Sequence, residues 1–399
     1  MLSGSAPRAL RGLAFALAAA ASVAGLSGCA TRSPESVFRS RQQEDPARAA
    51  LVPDVSPFAG GRPGPELAPV LAILRHWRRE AAPAEADAWF RARERHGGPL
   101  ELAPDFLAQH GLWADAGRGS PDRLKERLRG GVPVMVALQR VVFDVSGRRH
   151  VLVFGYSDAD SQFLCHAGGA RPVRIAYGEF DAGWRGCDYW MLWACPPDHP
   201  RWNLLPGERV SRGRFYENAR QYGRALEDYR SAWQAGLRQG TLFLYMGNTL
   251  RALDRPGEAE TAYRDAIAAN PLEGRAYNNL AYLLAERSNS VNEAVGLARQ
   301  ALALEPTSPL AMDTLGFALY QQGDLREAGD VLERARARAR WHPVRTQIEI
   351  AMHLVWVHHR SGNDHLAREV LADVLGMDPG FAVPPELRPI AANAAGTAP

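Results

Sequence analysis

The spacing of apolar residues changes character along the chain. In residues 65–79, Leu67, Val70, Leu71 and Leu74 recur at intervals of three and four, the mark of one helical face. Residues 103–110 predict a second helix, with Gly111 in the C′ position. A third covers 120–129, with Ser120 as N-cap, Pro121 at N1 and Gly130 as its stop. Apolar residues then gather into short Val-, Leu- and aromatic-rich runs at 133–138, 150–156, 161–165, 172–175 and 188–194. Gly or Asp turns separate these runs, which read as strands. Trp184, Tyr189, Trp190 and Trp193 are assigned to strand core. Helices followed by an antiparallel meander predict an α+β domain over 51–197. From about residue 209 the pattern is helical without a break.

The helical part repeats itself. Counting back from Pro271 gives Phe243, Met246-Gly247, Leu250, Ala259, Tyr263 and Ala266. Counting back from Pro306 gives Tyr277, Leu280-Ala281, Leu284, Ala294, Ala298 and Ala301, with one residue inserted near Asn289. The next unit has Met312, Leu315-Gly316, Leu319, Ala328, Leu332 and Ala335. A weaker unit ends at Pro379 with Leu354, Ala367 and Leu371, and a partial one precedes the set with Tyr216, Ala225, Tyr229 and Ala232. Small residues at fixed places let the two helices of a hairpin approach, while larger ones fill the space between hairpins. This arrangement resembles the tetratricopeptide repeat and predicts an all-α solenoid over 209–380. In such a solenoid the first helix of each hairpin lines a concave groove. Counting places Asn248, Arg251, Arg275, Asn278, Tyr282, Asp313 and Phe317 on that face. Asparagine amides can grip both the N–H and the C=O of an extended peptide.

The N-terminal domain carries a second resemblance. Val52-Pro53, Pro57 and Gly64-Pro65-Glu66-Leu67 lead into an apolar helix. Gly98-Pro99 and Gly111-Leu112 bound the next helical segment, and Gly131-Val132-Pro133-Val134 opens a strand. The run from Arg149-His150 to Gly155-Tyr156 follows. In this order they resemble a papain-like cysteine peptidase of the double-glycine, bacteriocin-processing type. That family's Cys-Gly-Pro turn opens its nucleophile helix, and a subgroup carries C-terminal tetratricopeptide repeats. The resemblance implies an α+β papain-like domain followed by the solenoid, with His150 as the catalytic base. It places the nucleophile at Pro63, the oxyanion-hole glutamine near Phe58 and the group orienting the base near His166. Proline has no nucleophilic atom and phenylalanine donates no hydrogen bond, so the implied peptidase lacks two central parts. Cys165, on the strand after His150, is the one candidate for a relocated nucleophile.

The ends add an address. Arg8 and Arg11 precede an apolar run of about 14 residues, short of the roughly 20 a membrane span requires. It ends in Leu26-Ser27-Gly28-Cys29, which resembles a bacterial lipobox. The expectation is a lipoprotein signal peptide over 1–28, a lipidated Cys29 and a polar tether over 29–50. Ala30, not Asp, follows the cysteine and favours the periplasmic face of the outer membrane. Residues 381–399, rich in Ala and Pro, read as a disordered tail. Export permits disulfides. About 26 Å of extended chain keeps Cys187 from Cys195. Cys165 could pair with either, or all three stay free.

Composition excludes more than it assigns. Of 399 residues, 46% are hydrophobic and 23% charged, which is neither a disordered chain nor a multi-span membrane protein. The net charge is +3, and the arginines of 201–220 alternate with Glu208, Glu217 and apolar residues. Nucleic-acid binding is therefore not expected. With no Cys-x-x-Cys pair and no ligand spacing among the histidines, no metal and no cofactor is expected. The leading expectation is a membrane-anchored periplasmic pseudopeptidase and repeat scaffold that binds protein or peptide partners. The alternatives are an active cysteine peptidase using Cys165, and a structural assembly factor in which only the repeats work.

Overall fold

The computed structural model describes residues 33–55, 67–139, 148–169, 171–287 and 290–392. Cys29, Phe58, Pro63 and Gly64-Pro65 lie outside the described residues. The chain divides into two compact units, one up to Asn203 and one from Leu204.

The first unit opens with helix α1 (Pro34–Glu44) and strand β1 (Ala49–Leu51). Helices α2 (Leu67–His76), α3 (Pro83–Arg91) and α4 (Pro99–Gln109) follow. Then come β2 (Trp113–Arg118), α5 (Pro121–Arg129), β3 (Val134–Gln139), β4 (Arg148–Ser157), β5 (Gln162–His166) and β6 (Val173–Ala176). Helix α6 (Tyr177–Arg185) and strand β7 (Trp190–Cys195) complete it. Among the described residues the strands form one antiparallel sheet in the order β2-β7-β3-β4-β5-β6, with β1 beside the last part of β4. The unit is α+β.

Local signals explain several elements directly. The Ser120 hydroxyl accepts from the Arg123 N–H at 3.3 Å and caps α5, with Pro121 at N1. Helix α4 ends with Gly111 at φ +75°, where the Leu112 and Gly111 N–H groups reach back to the carbonyls of Leu107 and Ala108. That closure is a Schellman motif and needs a residue tolerant of the left-handed region. Helix α2 is buried all round from Leu67 to Leu74 rather than on one face, so it runs through the core instead of along the surface.

Other elements depart from the sequence pattern. Residues 34–51 are not a tether. Ser33 caps α1, Phe38 is buried, and Ala49–Leu51 pair with Ser157–Gly155. Val37 and Phe38 are adjacent and give no periodicity, yet the one buried ring of Phe38 is enough to dock the helix. Trp184 belongs to α6, not to a strand, and its Nε1–H donates to the Trp190 carbonyl at 2.8 Å. Asp188 and Tyr189 form a turn with positive φ before β7.

The second unit is a row of five helix hairpins. They are α7 (Pro206–Asn218) with α8 (Tyr222–Gln234), α9 (Gly240–Ala252) with α10 (Pro256–Ala269), and α11 (Gly274–Glu286) with α12 (Val291–Leu304). The last two are α13 (Pro309–Gln322) with α14 (Leu325–Arg338) and α15 (Val344–Arg360) with α16 (Asp364–Met377). The recurring glycines sit against large side chains across each hairpin. A Cβ at Gly213 or Gly247 would lie 2.4 Å from the ring of Tyr229 or Tyr263, and one at Gly316 would lie 2.4 Å from Cγ of Leu332. Within the first hairpin Asp228 accepts two hydrogen bonds from Arg212, each at 2.7 Å. Arg209 lies 3.8 Å from the same carboxylate, so two arginines of the 201–220 stretch are tied to one buried aspartate.

The C-terminal segment up to residue 392 is not a disordered tail. Leu387 and Ile390 are buried, Phe381 and Val383 pack against the same core, and a short helix α17 (Arg388–Ala392) closes the row. An Ala- and Pro-rich composition hides these four apolar residues, which cover the open side of the last hairpin.

Candidate functional site

Two places were singled out by sequence, and the structure treats them differently. In the first unit His150 lies on β4 opposite Ala137 of β3, and Leu152 lies opposite both Met135 and His166. Residues directly paired across strands share a face, so His150, Leu152 and His166 point the same way. His150 is buried and meets the edge of Trp190 at 5.9 Å between ring centroids. His166 stacks on Phe154 at 4.6 Å, and its Nε2–H donates to the Val55 carbonyl at 3.1 Å. Burial pulls its pKa below the ordinary value, only partly offset by that hydrogen bond, so the ring is neutral. Its Nδ1 finds no hydrogen-bond partner among the described residues. His166 therefore holds the segment after β1; it does not orient His150.

The relocated nucleophile fails on geometry. Cys165 pairs with Val153, which alternates with Leu152, so the thiol faces away from His150 across the sheet. It is fully buried, and burial pushes its pKa far up, the opposite of what a thiolate requires. Cys195 shares the face of Trp193, which pairs with Val134 opposite Val153, and so also points away from His150. Among the described residues, Cys165, Cys187 and Cys195 form no disulfide.

In the second unit a groove of about 1060 Å³ runs along the first helices of successive hairpins. Asn248, Arg251, Asn278, Tyr282 and Asp313 line it, as the spacing places them. Arg275 does not: its guanidinium turns back to Glu273 at 2.8 Å. Phe317 lies beneath the wall, stacked on Tyr282 at 5.2 Å and on His353 at 4.8 Å.

A polar network fixes the floor. The Tyr263 hydroxyl donates to Asn248 Oδ1 at 3.0 Å, and Asn279 Nδ2 donates to the same oxygen at 2.8 Å. Asn278 Nδ2 in turn donates to Asn279 Oδ1 at 3.3 Å. Two donors fill the Asn248 oxygen and leave its amide hydrogens to the groove, whereas the buried Asn278 Oδ1 has no partner among the described residues. One donor group and one acceptor thus stand on adjacent hairpins. Burial raises the Tyr282 pKa to about 12, keeping its hydroxyl protonated, and the Arg251 guanidinium lies over its ring at 5.4 Å.

Sequence counting missed the far wall. His353, Glu349, Ile348, Met352 and Trp356 come from α15, and Phe381 and Pro384 from the segment after α16. His353 Nδ1 lies 2.8 Å from Asp313. Burial lowers the His353 pKa, but the Asp313 carboxylate, helped by Glu349 and Glu286, more than offsets this and sets it above the ordinary value. The signal was available: 345, 348, 349, 352, 353 and 356 follow the helical three-and-four spacing. The weakness of the last repeat kept that face from being projected.

No protein-family model matches the chain. A TPR repeat-containing protein of Pseudomonas aeruginosa is 33% identical over 135 residues, which is 32% of this chain and 22% of that protein. The chain thus spans about a fifth of the length of the curated relative it matches. Among solved structures, YrrB, described as a TPR protein with an unusual peptide-binding site, is 19% identical with a TM-score of 0.33. That likeness covers 39% of this chain and 74% of YrrB. PilW, described as a widely conserved type IV pilus biogenesis factor, is 18% identical with a TM-score of 0.43, over 49% of this chain and 89% of PilW. The row of helix hairpins in the second unit and the likeness to a TPR repeat-containing protein support the tetratricopeptide pattern read from the C-terminal sequence.

Proposed function

We propose that this chain is a binding scaffold whose repeat groove holds an extended segment of a protein or peptide partner. The observation that carries this reading is the asparagine network: a free amide donor on Asn248 and a buried, unpaired acceptor on Asn278. An extended backbone offers the matching carbonyl and N–H, and desolvated groups on both sides favour such pairing. The N-terminal unit is read as a papain-like domain that no longer cleaves. Pro63 stands where the resemblance calls for sulfur, and Cys165 faces the wrong side of the sheet to replace it. A lipidated Cys29 would hold the protein at the periplasmic face of the outer membrane. Against the active-peptidase alternative, neither Cys165 nor Cys195 stands on the face of His150.

The test is affinity capture from envelope extracts with the intact chain and with Asn248→Ala/Asn278→Ala, alongside labelling by a thiol-directed peptidase probe. Capture that the double variant loses, with no probe labelling, supports the scaffold. Labelling abolished by a cysteine substitution, or capture indifferent to the groove, overturns it.

A further inference from the structure

The groove changes character along its length, and the asparagines account for one half of it. Among its lining residues the asparagines stop at α11. Asn278 stands two positions before Leu280, and one hairpin later Asp313 stands two positions before Leu315. The amide has thus given way to a carboxylate, which His353 Nδ1 meets at 2.8 Å. Beyond it the lining is apolar: Leu310 of α13, Ile348, Met352 and Trp356 of α15, and Phe381 and Pro384 of the segment after α16. Three separate stretches of chain bring these side chains to one end of one groove.

Their burial is incomplete. Ile348 and Met352 are buried, Trp356, Phe381 and Pro384 are half-buried, and Leu310 is 46% exposed. Trp356 and Phe381 also pack against the core of the repeats, which fixes their positions. Apolar surface inside the concavity is therefore left to water. The charges at this end are already paired, Asp313 with His353 and Arg345 with Glu349 at 2.9 Å. A charged side chain arriving here would have to displace one of these partners, whereas an uncharged apolar one would meet only complementary surface.

We infer that this end of the groove is a pocket for one large apolar side chain, aromatic or long aliphatic, of the extended segment held by the asparagines, a partner chemistry that rests on the function proposed above. Burying such a side chain among aliphatic and aromatic neighbours is favourable in proportion to the area removed from water. The flexible thioether of Met352 lets the pocket fit more than one shape. The row of helices also sets a spacing. Neighbouring first helices stand about 10 Å apart, so the two steps from α11 to α15 span about 20 Å, the length of about six extended residues. The segment after α16, besides closing the row, becomes part of the binding surface.

The test selects peptides of about twelve residues, long enough for that spacing, from a random display library on the full chain. One selected peptide and its variants are then titrated by fluorescence anisotropy. The selected sequences should share one Phe, Trp, Leu or Met. Replacing that residue by Ala should weaken binding to the parent about tenfold. Leu310→Ser and Phe381→Ser should each weaken the selected peptide about threefold and leave the Ala peptide unaffected, the coupling expected of groups in contact. Leu310 is exposed enough for its variant to fold even where Phe381→Ser does not. Leu272→Ser, 77% exposed on the turn between α10 and α11 and not among the lining residues, should bind like the parent. Peptides that share no large apolar residue, or no coupling at Leu310 and Phe381 while Asn248→Ala/Asn278→Ala still weakens binding, overturn the inference and leave the proposed function standing. Coupling at these positions with binding indifferent to the two asparagines supports the pocket and overturns the proposed function.

Discussion

The two units pose the same problem and solve it in opposite ways. In the N-terminal unit the chemistry-bearing residues come from strands that are consecutive in sequence and matched by the register of the sheet. His150 and His166 share a face only because both flank Leu152 in the sheet register. In the repeats the site is assembled by repetition, each first helix placing its residues beside those of its neighbour. A sheet decides by register which side chains meet, and one step of parity sends Cys165 to the wrong side. A solenoid has no such parity, so its groove tolerates variation at single positions and can be read by counting.

The comparison breaks most visibly under large truncations. Trp193 is buried against Trp113, Trp202 and Arg127. Trp193→Ala should cost about 3–5 kcal/mol in the N-terminal unit alone. Calorimetry should show one transition falling while that of the repeats stays in place; a joint fall would mean the two units fold as one. Asp228→Asn should cost about 3 kcal/mol, the low end for a buried pair because Arg212 still meets some water. Hydrogen exchange should place that loss in α7 and α8, with little change in α13 to α16, as a nearest-neighbour array requires.

Much of the second unit was legible because the same packing demand recurs. Gly213, Gly247 and Gly316 each face a bulky residue 16 positions later, and that recurrence survives one insertion near Asn289. The first unit was legible only where a local rule acted, as at Ser120 and Gly111. Helix α1 has one buried side chain, Phe38, strand β2 reads Trp-Ala-Asp-Ala-Gly-Arg, and α6 contains two glycines. Each is specified by its tertiary partner and not by its own pattern. The groove was half legible: α9, α11 and α13 gave its near wall, while α15 and the segment around Phe381 were obscured by a weak repeat and by an Ala- and Pro-rich composition.

Smaller changes sharpen the account of the repeats. Gly316→Val should destabilise by about 1–3 kcal/mol, because Leu332 must give way. Gly296→Ala, where an added Cβ meets nothing within 4 Å, should instead stabilise by about 0.5–1 kcal/mol. Denaturant titration of both variants checks the opposite signs. The least effect expected is one of pH. His353 has a folded pKa raised above its ordinary 6.5, so its pairing with Asp313 is fully felt below that value and fades as pH rises through the folded value. The parent repeats should therefore lose stability across that window relative to His353→Asn. A parallel pH dependence in the two proteins would remove Asp313 from the argument.

The most direct test of the account is a calorimetric titration of the whole chain with an extended peptide selected from a random display library. Asn248→Ala/Asn278→Ala should weaken binding by about tenfold, the loss of two hydrogen bonds. His150→Ala should leave the affinity unchanged, and the peptide should be recovered intact. An affinity indifferent to the two asparagines, or a peptide cut by the parent and spared by His150→Ala, would contradict a scaffold and place the working site in the sheet.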